Sequence, residues 1–202
     1  MFMNRLLLKC WQLFDRTYQR AMGLDPVDVS AENVFRVQVV SYQGPSLRTA
    51  DGLIIRDGDL ICKIHLHNCL LMRKLQGITH QNRLGLLALQ EIRRSLPGLA
   101  RYIRNHPAEP YIKGIVGTTI LYRGAAQLGF SMEELPPSFK NRLKNRYLLW
   151  MLMICHPEGK DRLRRNPEKL KMRQLFMGKE QLYEKYGGLQ EENDARKSVA
   201  RH

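Results

Sequence analysis

The chain of 202 residues carries 33 lysines and arginines against 19 aspartates and glutamates, a formal net charge of +14. An apolar fraction of 44% beside 26% charged residues excludes an intrinsically disordered chain and allows one core of ordinary size, with or without helical extensions. The charge favours anionic partners (anionic lipid, phosphorylated ligands or nucleic acid) without choosing among them.

Residues 2–20 read as an amphipathic helix, with Phe2, Leu6, Leu7, Cys10, Leu13, Phe14 and Tyr18 as its stripe and Arg5, Lys9, Arg16 and Arg20 beside it. This helix, 1–22 in all, either docks on the core or lies on a membrane with Trp11 at the interface. Its three-leucine run is too short for a signal peptide. A single α+β domain is expected over 30–186. Val34 to Tyr42 alternates as a strand. Leu53-Ile54-Ile55 and Leu60 to Leu66, joined by Arg56-Asp57-Gly58-Asp59, read as a β-hairpin that completes an antiparallel three-strand meander with the first strand. Asn68 is positioned to cap the helix that follows, to about Leu75. A longer helix starts near Gln81 with Leu84, Ala88, Ile92, Leu96, Leu99 and Ile103 on its buried face. Pro97 either kinks it or lets Ser95 cap a second helix. Tyr111 to Thr119 is a short buried strand, Ile120 to Phe130 leads into a short helix closed by Gly129, and 130–135 forms an edge strand. From Ser138 onward the chain reads as helical and basic, with 11 cationic side chains against Glu158, Asp161 and Glu168 between 138 and 176. Gly187-Gly188 closes the fold, and 189–202 reads as a disordered tail. The expected class is therefore α+β: a small, mainly antiparallel sheet covered by helices, with a basic helical C-terminal segment.

Period 2 in the strand Leu60–Leu66 puts Lys63, His65 and His67 on one face, opposite Leu60, Cys62, Ile64 and Leu66. Histidines two apart lie about 6.5–7 Å from each other at Cα, close enough to share a metal, but no third ligand stands at a nominating spacing. Three readings remain: two half-exposed histidines on a sheet face, one catalytic or anion-binding histidine, or a metal pair. Arg93, Arg94, Lys113 and Arg123 are candidate anion holders, and Arg123-Gly124 opens a helix whose free N–H groups would assist. Four scattered cysteines, Cys10, Cys62, Cys69 and Cys155, without a CxxC spacing, fit a reduced cytoplasmic setting. The longest apolar run, Tyr147 to Cys155, is far short of the ~18 residues of a membrane span. His156 to Asp161 combines an HxxxxD spacing with a Pro-Glu-Gly tripeptide, both used by glycerolipid acyltransferases. There the two are separate motifs, whereas here they overlap within six residues, so a helix stop is the better account.

Several segments in order resemble the YkoP-like domain of Firmicutes: Gly58-Asp59 with Ile64-His65-Leu66-His67-Asn68, Arg93-Arg94-Ser95-Leu96-Pro97, Arg123 to Phe130, and His156-Pro157-Glu158-Gly159. The likeness spans most of 1–186. That family occurs alone or beside polysaccharide deacetylase domains, which implies a setting in envelope glycan or glycolipid metabolism. The resemblance also implies that His65 and Asn68 are family positions and His67 is not, which turns the expectation toward His65 and Asn68 and away from an HxH metal site; no cofactor is expected. Two functions follow as expectations. The first is an accessory or binding domain at the inner face of the cytoplasmic membrane. The second is an enzyme acting on a phosphorylated or glycolipid substrate, with His65 as base, Asn68 as polar contact and Arg94, Lys113 and Arg123 holding the anion. Nucleic-acid binding is a third reading, without a recognisable motif to support it.

Overall fold

The computed structural model describes residues 19–75, 81–120, 122–135 and 171–188, together with Thr17, Arg142, Asn145, Arg146 and Leu149. Most of the expected N-terminal helix, the basic segment and the tail lie outside these. Of the first, Thr17 and residues 19–21 are helical.

Alternation builds the sheet. In β2 (Phe35–Ser41), Phe35 and Val37 are buried on one face while Arg36 and Gln38 take the other. β2 pairs antiparallel with β5 (Leu60–Leu66), Phe35 opposite Leu66 and Ser41 opposite Leu60. The full order is β1 (Asp25–Pro26), β2, β5, β6 (Ile112–Thr119), β8 (Arg173–Gly178), β7 (Ser131–Glu134). One pair, β5 with β6, is parallel, so the chain must cross over between them, as parallel neighbours require. It does so through α1 (Asn68–Lys74) and α2 (Gln81–Arg104). The other pairs are antiparallel, so the sheet is mainly antiparallel, as expected.

Each face of the sheet has its own core. Cys62, Ile64, Val37, Ile115, Leu175 and Met177 meet Leu96, Leu99, Ala100 and Ile103 of α2 and Leu182 of α3 (Lys179–Tyr186). On the opposite face, Tyr42, Ile61, Val116 and Phe176 pack with Leu47 and Ile55. Those last two come from β3 (Leu47–Arg48) and β4 (Ile54–Ile55), which pair only with each other.

This arrangement corrects the hairpin. Ile54–Ile55 does not pair with Leu60–Leu66, because both edges of β5 are taken, by β2 and by β6. The turn at Arg56 to Asp59 does form. Asp59 N–H donates to the Arg56 carbonyl at 3.1 Å, with Gly58 at φ +88°. Gly58 N–H also donates to the Tyr42 carbonyl at 2.9 Å, and Tyr42 N–H to that of Asp59 at 2.7 Å, so the turn prolongs the β2–β5 ladder instead of closing a hairpin.

Three further expectations change. α2 runs as one helix through Pro97 to Arg104, so of the two alternatives at Pro97 the second helix does not form. Ser95 caps nothing there; its hydroxyl accepts from Val34 N–H at 3.2 Å and its carbonyl from Asn33 Nδ2 at 2.9 Å. At α1 the cap position falls on His67, with no side-chain cap bond, and Asn68 is the first helical residue. Finally, Arg173–Gly178 is not helical but an interior strand, buried from Gln174 onward. Burial on both faces overrides the helix propensity of its Arg, Gln, Leu and Met residues.

The far end of the sheet is fastened by charge. Lys179, at the start of α3, pairs with Glu109 Oε1 at 2.9 Å and donates to the Glu109 carbonyl at 3.0 Å. Tyr183 OH donates to the same carboxylate at 3.0 Å, and the Arg104 guanidinium lies 4.8 Å from the Tyr183 ring centroid. Hydrogen bonds from Lys179 and Tyr183 hold the Glu109 carboxyl below its usual range.

Candidate functional site

The β-sheet register gathers polar groups into a row on the face turned away from α2. Arg36 stands directly across from His65, and Gln38 across from Lys63. Paired residues share a face, so continuing from Lys63 opposite Val116 places Thr118 beside His65. Gln174 pairs with Thr118, and Glu133 with Gln174. The row thus runs Arg36, His65, Thr118, Gln174, Glu133 across five strands.

Two members of the row are buried. Arg36 is 6% exposed and Gln174 is 8% exposed, in a layer where charge is costly unless bonded. The Arg36 guanidinium Nη2 lies 2.8 Å from His67 Nε2. Arginine only donates, so His67 Nε2 accepts and its ring proton sits on Nδ1. The Arg36 cation beside His67 also opposes a second cation there. Among the described residues no three His, Cys, Asp or Glu side chains group to hold a metal ion. Gln174 Nε2 donates to Tyr42 OH at 3.3 Å, which donates on to the Pro45 carbonyl at 2.8 Å. Burial raises the Tyr42 phenol, as do the charges of Glu133 and Asp57, while the bond from Gln174 works the other way. Together these groups can hold a polar ligand group by hydrogen bonds, with the Arg36 cation at one end of the row and the Glu133 carboxylate at the other.

The other candidates lie elsewhere. Arg94 is on α2, whose apolar side packs against the opposite sheet face from His65. Lys113 is exposed at the N-terminal end of β6, roughly 15 Å along the strands from the level of His65. Arg123 is exposed just after β6, ahead of Ala125, Leu128 and Phe130, which join the core beneath α2. The helix expected after Arg123 is a three-residue 3₁₀ turn, Ala126–Leu128, ended by Gly129 at φ +90°. Its N–H groups on Ala125, Gln127 and Leu128 already donate to Tyr122, Gly124 and Ala125 carbonyls, so they supply no anion site. Asn68 opens α1, half-buried, beyond the strand that carries His65. The structure brings together His65, His67 and Arg36, not His65 with Arg94, Lys113 or Arg123. Arg36 escaped the sequence reading. Its signal was parity: it and Gln38 are the polar positions in an apolar alternating strand.

Cys62, in the core on the opposite face of the same strand, is fully buried, and burial pushes its thiol up to about 12. Thiolate is the reactive form. Iodoacetamide at pH 8 is therefore expected to leave Cys62 unmodified in the folded chain and to alkylate it in urea, as read by peptide mass. Labelling of the native protein at the rate of a free thiol would contradict this environment.

A mixed six-stranded sheet with helices on one face, and a polar row beside a small β-lobe on the other, defines an α+β protein. The sequence model of the YkoP domain matches residues 4–186, and the chain belongs to that family. It is similar to the Uncharacterized protein YkoP of Bacillus subtilis (strain 168), 38% identical over 130 residues that cover 64% of this chain and 71% of that protein. No solved structure matches.

Proposed function

We propose that the chain is a non-catalytic accessory or binding domain held at the anionic inner face of the cytoplasmic membrane, serving envelope glycan or lipid metabolism. The observation that carries this reading is the concentration of charge: 11 cationic against three acidic side chains between 138 and 176, more than half of the chain's net +14. Each Lys or Arg near an anionic surface contributes about 1 kcal/mol, and the attraction fades within a Debye length. The amphipathic pattern of residues 2–20 adds an apolar contact of the kind interfacial helices make. Among the described residues no helix is long and apolar enough to cross a membrane. The envelope setting comes from the family resemblance.

The separation of the candidate groups supports binding over catalysis. A base needs its partners within hydrogen-bond reach, and the three expected anion holders are distributed away from His65. Co-flotation with phosphatidylglycerol vesicles tests the reading. The chain is expected to float at low salt, to be released as salt rises, and to stay behind with phosphatidylcholine alone. Failure to float with anionic vesicles at low salt would overturn it.

The enzyme reading retains one favourable observation, His65 half-buried directly across from the buried Arg36. It would give His65 the role of base on a phosphorylated or glycolipid substrate, with Arg36 rather than Arg94 as the neighbouring cation.

A further inference from the structure

A concave site lies where the end of α1, the middle of α2 and the connection from β1 to β2 meet. We propose that it binds a singly charged oxyanion, a phosphodiester or carboxylate group, between Lys74, Arg94 and Arg101. Arg94, Gly98 and Arg101 follow one another at i, i+4 and i+7, so they share one face of α2. Gly98 lets Asn33 pack closely on α2: a Cβ there would stand 2.6 Å from Asn33 Nδ2. Asn33 is fixed as the floor, its Nδ2 donating to the Ser95 carbonyl and its Oδ1 accepting from Phe35 N–H, both at 2.9 Å.

The acidic groups of the cleft already have work to do. Glu91 brackets two of the cations, Oε2 with Lys74 Nζ and Oε1 with Arg94 Nη1, each at 2.9 Å. Burial opposes its charge, but the bonds and charges of Lys74 and Arg94 outweigh that and hold the carboxyl below its usual range. Asp28 Oδ1 accepts from Ser30 Oγ at 2.7 Å and Ala31 N–H at 3.0 Å. Three lining cations face two lining carboxylates, and Glu32, 3.7 Å from Lys74 Nζ, is offset by its ion pair with Arg73, so one positive charge is left at the cleft. The Arg94 side chain is 76% exposed, with one nitrogen engaged by Glu91. Its planar fork suits the O–P–O or O–C–O edge of an anion. One excess charge selects a monoanion over a phosphate monoester.

The site does not depend on the membrane reading, and its test separates the two. Isothermal titration of the full chain with dimethyl phosphate and with acetate, against sodium chloride at matched ionic strength, is expected to show one saturable site for at least one of them. Arg94→Gln, an exposed substitution compatible with folding, should weaken it about tenfold, as loss of a charge-assisted bond does. Gly98→Ala should weaken it by displacing Asn33 from the floor. Absence of saturable binding beyond the chloride control, or unchanged affinity in Arg94→Gln, overturns the site. A chain that floats on anionic vesicles but ignores dimethyl phosphate overturns the cleft and leaves the membrane reading standing.

Discussion

Phe176→Ala is expected to lose about 3–5 kcal/mol of stability, the usual cost of emptying a large aromatic from a packed interior. Phe176 is 1% exposed and centres the second core with Tyr42, Leu47, Ile55, Ile61 and Val116. The loss would not be evenly spread. Leu47 and Ile55 are the contacts through which β3 and β4 sit on the sheet, and those two strands pair only with each other. A two-stranded ribbon is marginal alone, so it depends on this packing. Urea unfolding should show the lowered midpoint, and amide exchange should show lost protection at residues 47–55 beyond the loss in α2. A change below about 1 kcal/mol would mean that this second core is not consolidated.

The other large effect is expected at Gly114, with a loss of about 2–4 kcal/mol on replacement by alanine. Gly114 lies in β6, flanked by β5 and β8, and faces the small lobe. A Cβ there would come within 2.4 Å of the Met177 carbonyl oxygen and 3.2 Å of Ile55 Cδ1. The first is backbone and cannot swing aside, so the β6–β8 ladder has to shift. Alanine by itself would gain up to about 1 kcal/mol by restricting the unfolded chain, which makes the sign informative. Chemical denaturation decides it, and an unchanged or raised midpoint would contradict the close approach.

Much of this architecture was legible from residue pattern. The alternation of Val34 to Tyr42 and Leu60 to Leu66, the spacing of Leu96, Leu99 and Ile103, and the apolar strand before Thr119 all reappear as elements. Pairing was less legible than existence. A turn signal at Asp57-Gly58 is local, whereas the partner of Ile54–Ile55 is decided by which sheet edges distant strands have already taken. Arg173–Gly178 was hidden for a related reason. Buried on both faces, it shows no alternation, and its residues favour helix when read alone.

The polar row was half legible. His65 and Lys63 could be placed on one face by parity, but their neighbours Arg36, Thr118, Gln174 and Glu133 come from four other strands, brought alongside by register. Arg94 on α2, Lys113 at the start of β6 and Arg123 after its end stand apart from His65, which no local spacing could have told. Two regions therefore carry separate proposals: a basic segment for an anionic surface, and a cleft at Arg94 for a small anion.

Flotation of two variants side by side tests the central proposal most directly. One replaces Lys160, Arg162, Arg164 and Arg165 with glutamine; the other is His65→Gln. Binding through the basic segment predicts that the four-charge variant loses most of its low-salt association with phosphatidylglycerol vesicles while His65→Gln floats as the parent does. Undiminished flotation of the four-charge variant, or loss confined to His65→Gln, would contradict it.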